Sequence, residues 1–178
     1  MKPSSLVLLL CLAGVVGPMP AQAEERPSAA ALEKARIIAQ RTMLIDTHID
    51  VPYRLEEGWA DVTRRTLDGD FDYERARRVW LNTAFISIYT PAESEEEGGS
   101  FELANRLIDR VEALAGRAPE KFVVVRTPDQ ALQAHQAGLM GLALGMENGS
   151  PLQGKLENVA FFRERGISYI TLAHSLSN

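Results

Sequence analysis

Cysteine and basic residues are scarce in this sequence. Its one cysteine is Cys11, which lies in an N-terminal segment that we predict below to be removed. Disulfides are then excluded from the mature chain, whose stability must come from its core, with or without a bound metal. Lys and Arg total 19 against 24 Asp and Glu, which gives a formal net charge of −5. Because nucleic acids require a clustered basic surface, no nucleic-acid partner is expected.

Apolar runs long enough to cross a membrane are also absent. The N-terminal run, Leu6–Val16, has about 11 residues, whereas a membrane-spanning helix needs roughly 20. Lys2 precedes this run and Ala21-Gln22-Ala23 follows it, which is typical of a secretory signal peptide with its cleavage site. We therefore predict a signal peptide over residues 1–23, a mature domain over 24–178, and a periplasmic or secreted protein that meets a membrane only during export. An uncleaved anchor is the alternative, and N-terminal sequencing of the exported protein distinguishes the two.

Apolar runs alternate with helical patterns along the rest of the chain. The runs predict buried strands at Met43–Asp46, Thr83–Tyr89, Phe122–Val125, Leu139–Met146 and Ser168–Ala173. Apolar spacing and helix-start residues predict one helix that begins at Pro27-Ser28, and others over Asp70–Val79, Phe101–Leu114, Pro128–Ala137 and Leu156–Arg165. The acidic stretch Glu93–Gly99 is predicted to be a solvated loop.

This alternation places the protein in the α/β class. Nearly continuous apolar strands separated by helices indicate a parallel sheet that is covered on both faces. Such a sheet either closes into a barrel or stays open as a doubly wound sheet. Neither a glycine-rich dinucleotide turn nor a phosphate loop follows any predicted strand, and a barrel is therefore favoured.

Apart from the short run Phe122–Val125, potential metal ligands follow three of the four predicted strands. The strand at Met43–Asp46 leads into His48 and Asp50, the strand at Leu139–Met146 ends at Glu147 and the strand at Ser168–Ala173 ends at His174. The strand at Thr83–Tyr89 ends at Tyr89-Thr90 instead. In a parallel barrel these strand ends meet at the mouth that holds the active site. His48 and Asp50 are two residues apart, so strand alternation predicts that their side chains point the same way. Imidazole nitrogens and carboxylate oxygens are good zinc ligands.

Most of these residues also have a purely structural explanation. A His-x-Asp pattern arises often by chance, in which case His48 packs locally while Asp46 and Asp50 only end the strand. His174 is then a hydrogen-bonded histidine at a strand end. The third histidine, His135, falls within a polar helix and is expected at the surface.

Glu147 has its own alternative, because the Asn148-Gly149 pair that follows it is a strong hairpin signal. The pattern from Leu156 onward is helical, however, so no second strand is available for a hairpin. A carboxylate at the end of a buried parallel strand has few other partners, which favours a ligand role for Glu147.

Four stretches of the sequence each close a predicted strand. They are Ile45–Pro52 (IDTHIDVP), Phe85–Pro91 (FISIYTP), Gly145–Gly149 (GMENG) and Gly166–Ser175 (GISYITLAHS). Together, and in this order, they resemble the membrane (renal) dipeptidases, the zinc-dependent peptidase family M19. The resemblance extends from about Met43 to the end of the chain, and four ordered motifs are far more specific than one.

The resemblance implies a (βα)8 barrel with two zinc ions at its mouth. His48 and Asp50 would hold one zinc, and Glu147 would bridge both. His174 would face the substrate and stabilise the oxyanion. The implied reaction is the hydrolysis of dipeptides by a zinc-activated hydroxide, with Glu147 and His174 as the catalytic residues. Relatives often form homodimers, so a homodimer is compatible with the resemblance.

The chain also departs from the family pattern. The family places two further histidine ligands on later strands, whereas this sequence ends at Asn178, and a closed barrel takes about 250 residues. We therefore expect about the first half of the barrel, with at most one zinc bound and no activity by itself. One alternative is a truncated, inactive pseudoenzyme. Another amidohydrolase-type metal hydrolase is the second, although such enzymes typically carry a histidine where Asp50 stands.

Overall fold

The computed structural model describes residues 26–175, which form five strands and seven α-helices. The strands are β1 (Leu44–Ile49), β2 (Leu81–Tyr89), β3 (Phe122–Val124), β4 (Met140–Glu147) and β5 (Ile167–Thr171). The helices are α1 (Ala29–Arg41), α2 (Val51–Glu57), α3 (Tyr73–Arg78), α4 (Ser94–Glu97), α5 (Ser100–Arg117), α6 (Pro128–Gln136) and α7 (Leu156–Glu164), with a short 3₁₀ helix over Ser150–Leu152. The predicted signal peptide lies outside the described residues and stays a prediction.

The predicted alternation of strands and helices is confirmed, and the ends of the predicted elements differ from the observed ones by at most three residues. Two helices were not predicted. Helix α2 follows the first strand directly, and α4 lies within the stretch that we expected to be a loop, although most of its side chains are solvent-exposed as expected. Both helices are only one or two turns long, too short for a periodic apolar pattern to reveal them.

The sheet is parallel, with β2 and β4 at its centre. Its order is β1-β2-β4, and β4 also pairs with β3 through its first residues and with β5 through its last ones. Tyr89 at the end of β2 pairs in register with Glu147 at the end of β4, which in turn pairs with Thr171 at the end of β5. The carboxyl ends of these strands therefore meet along one edge of the sheet.

The main core lies between one face of the sheet and helix α5. Alternate residues of the two central strands and one face of the helix supply its fully buried side chains. These are Ile86, Ile88, Leu142, Leu144, Met146, Leu107, Ile108 and Val111. Burial of such apolar surface, at roughly 25 cal/mol per Å², is the main force that holds the strands in register.

Strand β1 is exposed over most of its length, so the prediction that it is a buried strand was wrong. Residues 45 to 48 are exposed, and Ile45 retains 45% of its accessible surface. Among the described strands β1 pairs only with β2, and it is therefore an edge strand. An apolar run predicts a strand, but it does not say whether neighbours cover both of its sides.

Helix α1 begins where the sequence predicted. The Ser28 side chain caps it by accepting a hydrogen bond from the backbone N–H of Ala31 at 3.2 Å. None of its residues is buried, and its apolar residues Leu32, Ile37 and Ile38 are exposed in the described part of the chain. No helix within residues 26–175 is long and apolar enough to cross a membrane.

Helix α3 begins at a fully buried carboxylate. Asp72 accepts hydrogen bonds from the backbone N–H groups of Arg75 at 2.8 Å and Thr66 at 3.1 Å, and from the Arg75 guanidinium at 2.6 Å. Burial raises the pKa of Asp72 more than any single contact lowers it. The two backbone donors and Arg75 together outweigh burial, however, and lower the pKa from 3.8 to about 2.

We expect this carboxylate to make folding acid-sensitive. Because its pKa is lower in the folded chain, Asp72 contributes about 2 kcal/mol of stability above pH 4, which is lost as the pH falls towards 2. Asp72→Asn should therefore lower the free energy of unfolding by about that amount at pH 7. The variant should differ little from the wild type near pH 2. Urea unfolding of the wild type and the variant at several pH values measures their free energies of unfolding. The same difference between the two proteins at pH 7 and near pH 2 would contradict this account.

Candidate metal centre

The residues predicted to bind metal lie at the carboxyl edge of the sheet. His48 is near the end of β1, and Glu147 is the last residue of β4. Asp50 lies one residue beyond β1, at the N-cap of α2, with φ −87° and ψ 49°. The argument from strand alternation was therefore wrong for Asp50, because the strand ends at Ile49. The turn into α2 brings the Asp50 carboxylate to His48 instead.

The side chains of Asp50 and Glu147 approach the same imidazole nitrogen of His48. His48 Nε2 lies 3.2 Å from Asp50 Oδ1 and 3.1 Å from Glu147 Oε2. One ligand atom from each residue falls within 4.8 Å of the other two. Ligands of a tetrahedral zinc ion at roughly 2.0–2.2 Å stand about 3.4 Å apart, so the spacing around Nε2 fits a metal ion.

The charges of this group also fit a cation. Among the described residues, Asp50 and Glu147 have only histidines as ion-pair partners: His48 for both, and His174 for Glu147. Two carboxylates that face an imidazole repel each other unless a positive charge lies between them. A nitrogen and two carboxylate oxygens are a suitable donor set for zinc.

Glu147 is held in place from the neighbouring strand. The fully buried Ser87 hydroxyl on β2 donates a hydrogen bond to Glu147 Oε2 at 2.8 Å. Ser87 points to the same side of the sheet as Tyr89, which pairs in register with Glu147. Sequence reasoning did not identify Ser87, because a serine within an apolar strand carries no signal of the residue that it contacts.

His174 lies beyond β5 and contacts the same carboxylate from its other side. Its Nε2 atom is 3.2 Å from Glu147 Oε1, and its ring packs edge-on against Tyr89 at 5.1 Å. The group of three potential ligands does not include His174. Its role towards substrate stays a prediction. His135 lies on α6 and is half-buried, and it is not part of the group of three potential ligands.

The turn after Glu147 does not form a hairpin. This agrees with the sequence, in which the helical pattern from Leu156 onward leaves no second strand for one. Asn148 has a positive φ of 78°, a conformation that asparagine tolerates better than most residues. Its buried amide donates a hydrogen bond to the Thr90 carbonyl at 3.0 Å. The backbone N–H of Thr90 in turn donates to the Glu147 carbonyl at 3.2 Å. These contacts fix the end of β4 against the end of β2.

A second aromatic residue approaches the group from β5. The Tyr169 hydroxyl lies 3.1 Å from the Thr47 carbonyl and 3.4 Å from His48 Nδ1. Burial raises the pKa of Tyr169, and the nearby carboxylates of Glu147 and Asp50 raise it further. The hydroxyl therefore stays protonated at neutral pH and can donate a hydrogen bond.

A histidine and two carboxylates at the carboxyl ends of parallel βα strands form a candidate metal site, in the position where barrel enzymes carry their active sites. Comparison with known protein families identifies the family of this chain. The chain belongs to the membrane dipeptidase family, peptidase family M19, whose model matches residues 32–178. Mouse (Mus musculus) Dipeptidase 3 is 27% identical over 150 residues, which are 82% of this chain and 29% of the mouse protein.

Solved structures confirm the predicted fold. The chain is similar to the probable dipeptidase PvdM from Pseudomonas aeruginosa, with a TM-score of 0.68, 16% identity, and coverage of 83% of this chain and 38% of that one. It is also similar to a metallopeptidase from Rhodobacter sphaeroides liganded with a phosphinate mimic of the dipeptide L-Ala-D-Ala. There the TM-score is 0.64 with 18% identity, covering 75% of this chain and 46% of that one. The chain thus has an α/β fold that corresponds to part of a TIM-like barrel and spans less than half the length of these relatives.

Proposed function

We propose that the protein is a zinc-dependent dipeptidase, and that His48, Asp50 and Glu147 hold the metal. The convergence of these three side chains within 4.8 Å is the observation that carries the proposal. Membership of the membrane dipeptidase family supports the dipeptide as the substrate class. The dipeptide mimic bound to the Rhodobacter sphaeroides metallopeptidase points to the same class.

The proposal assigns different tasks to the two oxygens of Glu147. Oε2 lies beside His48, and Oε1 lies beside His174 on the opposite side. A carboxylate with its oxygens turned to different neighbours suits the bridging role that the family resemblance implies. We propose two zinc ions in the complete site, of which the described residues supply three ligands to one.

Each residue then has a defined part in hydrolysis. A bound zinc would supply Lewis acidity, which lowers the pKa of water and polarises a peptide carbonyl. Asp50 and Glu147 would orient the His48 imidazole and offset the positive charge of the metal. His174, with 40% of its side chain exposed, would donate an N–H to the oxygen that becomes negative as the peptide carbonyl is attacked.

A second candidate is a chain that binds metal without catalysis. Within residues 26–175 only one group of three ligands is found, and this favours a single bound ion. One zinc ion held by three protein ligands does not by itself provide the pair of cations that the bridging role requires. The two candidates predict the same metal site and differ only in turnover.

The experiment is to measure zinc content and dipeptide hydrolysis on the same preparations. We expect one zinc per 178-residue chain by elemental analysis, and hydrolysis of simple dipeptides by the protein with its natural C-terminus. Zinc without turnover in that protein supports the non-catalytic alternative. A chain that retains no zinc after dialysis against a trace concentration of the metal would contradict the assignment of the ligands.

A further inference from the structure

The ring of Tyr169 has a fixed place in the sheet. Tyr169 pairs in register with Gly145 of β4, and its ring crosses that glycine. A Cβ atom on Gly145 would lie 2.2 Å from Tyr169 Cζ, so only glycine leaves room for the ring. Phe85 of β2 packs against the ring with centroids 5.4 Å apart. These contacts direct the phenol from β5 across β4 towards β1.

The phenol hydroxyl of Tyr169 lies close to two atoms of β1. Its oxygen is 3.1 Å from the Thr47 carbonyl and 3.4 Å from His48 Nδ1. A carbonyl oxygen only accepts hydrogen bonds, so the hydroxyl proton points to Thr47. The phenol oxygen is then left to accept a hydrogen bond from His48, which requires the imidazole proton on Nδ1.

A histidine that ligates a metal through Nε2 carries its remaining proton on Nδ1, and Nε2 is the atom that faces Asp50 and Glu147. We propose that Tyr169 is a positioning residue that accepts the Nδ1–H of metal-bound His48 and thereby holds the ring with Nε2 towards the metal. The inference rests on the proposed metal site but concerns a residue outside the ligand set. Partners that orient a ligating histidine typically change metal affinity by about 10–100-fold.

The test is Tyr169→Phe, which removes the hydroxyl and keeps the ring. The chain contains only three histidines, so ¹⁵N NMR of the zinc-loaded chain can resolve the His48 Nδ1–H group. We expect this proton to exchange slowly with water in the wild type and faster in the variant. Zinc affinity, measured by competition with a chromophoric chelator, should fall about 10–100-fold in the variant.

Tyr73→Phe is the matched control. Tyr73 lies on α3 and packs edge-on against Phe122 at 5.2 Å, and its hydroxyl has no contact with the metal group. This variant should keep both the wild-type proton exchange at His48 Nδ1 and the wild-type zinc affinity. Gly145→Ala is a second test, because its Cβ displaces the phenol ring although the hydroxyl is retained. It should resemble Tyr169→Phe in the NMR spectrum.

The outcomes separate this inference from the proposed function. If wild type binds zinc and Tyr169→Phe binds it equally with unchanged proton exchange at His48, the positioning role is overturned while the metal site stands. If wild type binds no zinc, the proposed metal site fails and the positioning role fails with it.

Discussion

Glu147→Gln is expected to weaken zinc binding by the 178-residue chain at least about 100-fold, more than the loss of a group that only orients a ligand. Glutamine keeps the length of the side chain, and its amide oxygen can still accept the hydrogen bond from Ser87. The negative charge is lost, however, and with it one of the three proposed ligands. Competition with a chelator of known affinity, at fixed pH and ionic strength, measures the change.

Glu120→Gln is the control for that experiment. Glu120 is exposed in the turn before β3, and its substitution removes the same charge from the chain at a distance from the proposed ligands. It should leave zinc affinity within about twofold, because exposed charges beyond a Debye length are largely screened. Equal affinities for the Glu147 and Glu120 variants would show that the metal binds elsewhere.

Phe162→Ala is expected to destabilise the fold by about 3–5 kcal/mol. Phe162 is the one buried residue of α7, and its ring packs edge-on against Phe101 of α5 at 5.2 Å. Removal of the ring leaves a cavity and takes away the only side chain that α7 buries in the core. Native domains are stable by only about 5–15 kcal/mol, so the variant should unfold at a much lower urea concentration.

Phe161→Ala provides the comparison within the same helix. Phe161 also contacts Phe101, with ring centroids 5.1 Å apart, but it is 37% exposed. Its truncation leaves a surface site that water can occupy, and we expect the free energy of unfolding to fall by about 1 kcal/mol. If the two substitutions lower the free energy of unfolding by the same amount, burial of Phe162 is not what attaches α7 to the core.

The sequence predicted the long elements well because each carries a repeated physical signal. Strand β4 is an unbroken apolar run, and α5 places apolar residues along one helical face, so their ends were predicted to within three residues. Helices α2 and α4 span seven and four residues, fewer than a periodic pattern needs. The exposure of β1 was also missed, since a pattern within one strand contains no information about its neighbours.

The candidate site was predictable in part for the same reason. Potential ligands at strand ends were visible in the sequence because parallel strands share an edge, and the structure brings His48, Asp50 and Glu147 together there. The supporting residues were not visible. Ser87 contacts a carboxylate 60 residues away, and Tyr169 contacts an imidazole 121 residues away. Such contacts depend on strand register and ring direction, which only the folded chain defines.

The position of β1 at the edge of the sheet has a consequence for chain entropy. His48 on β1 and Glu147 on β4 are separated in space by β2 and along the chain by 99 residues. An ion held by both would bridge over the intervening strand and close a loop of that length. Closure of a loop of about 100 residues restricts the unfolded chain by roughly 4–5 kcal/mol in the polymer model used for disulfides. In a protein whose one cysteine is Cys11, the metal would thus take the place of a covalent cross-link and attach the outermost strand to the centre of the sheet.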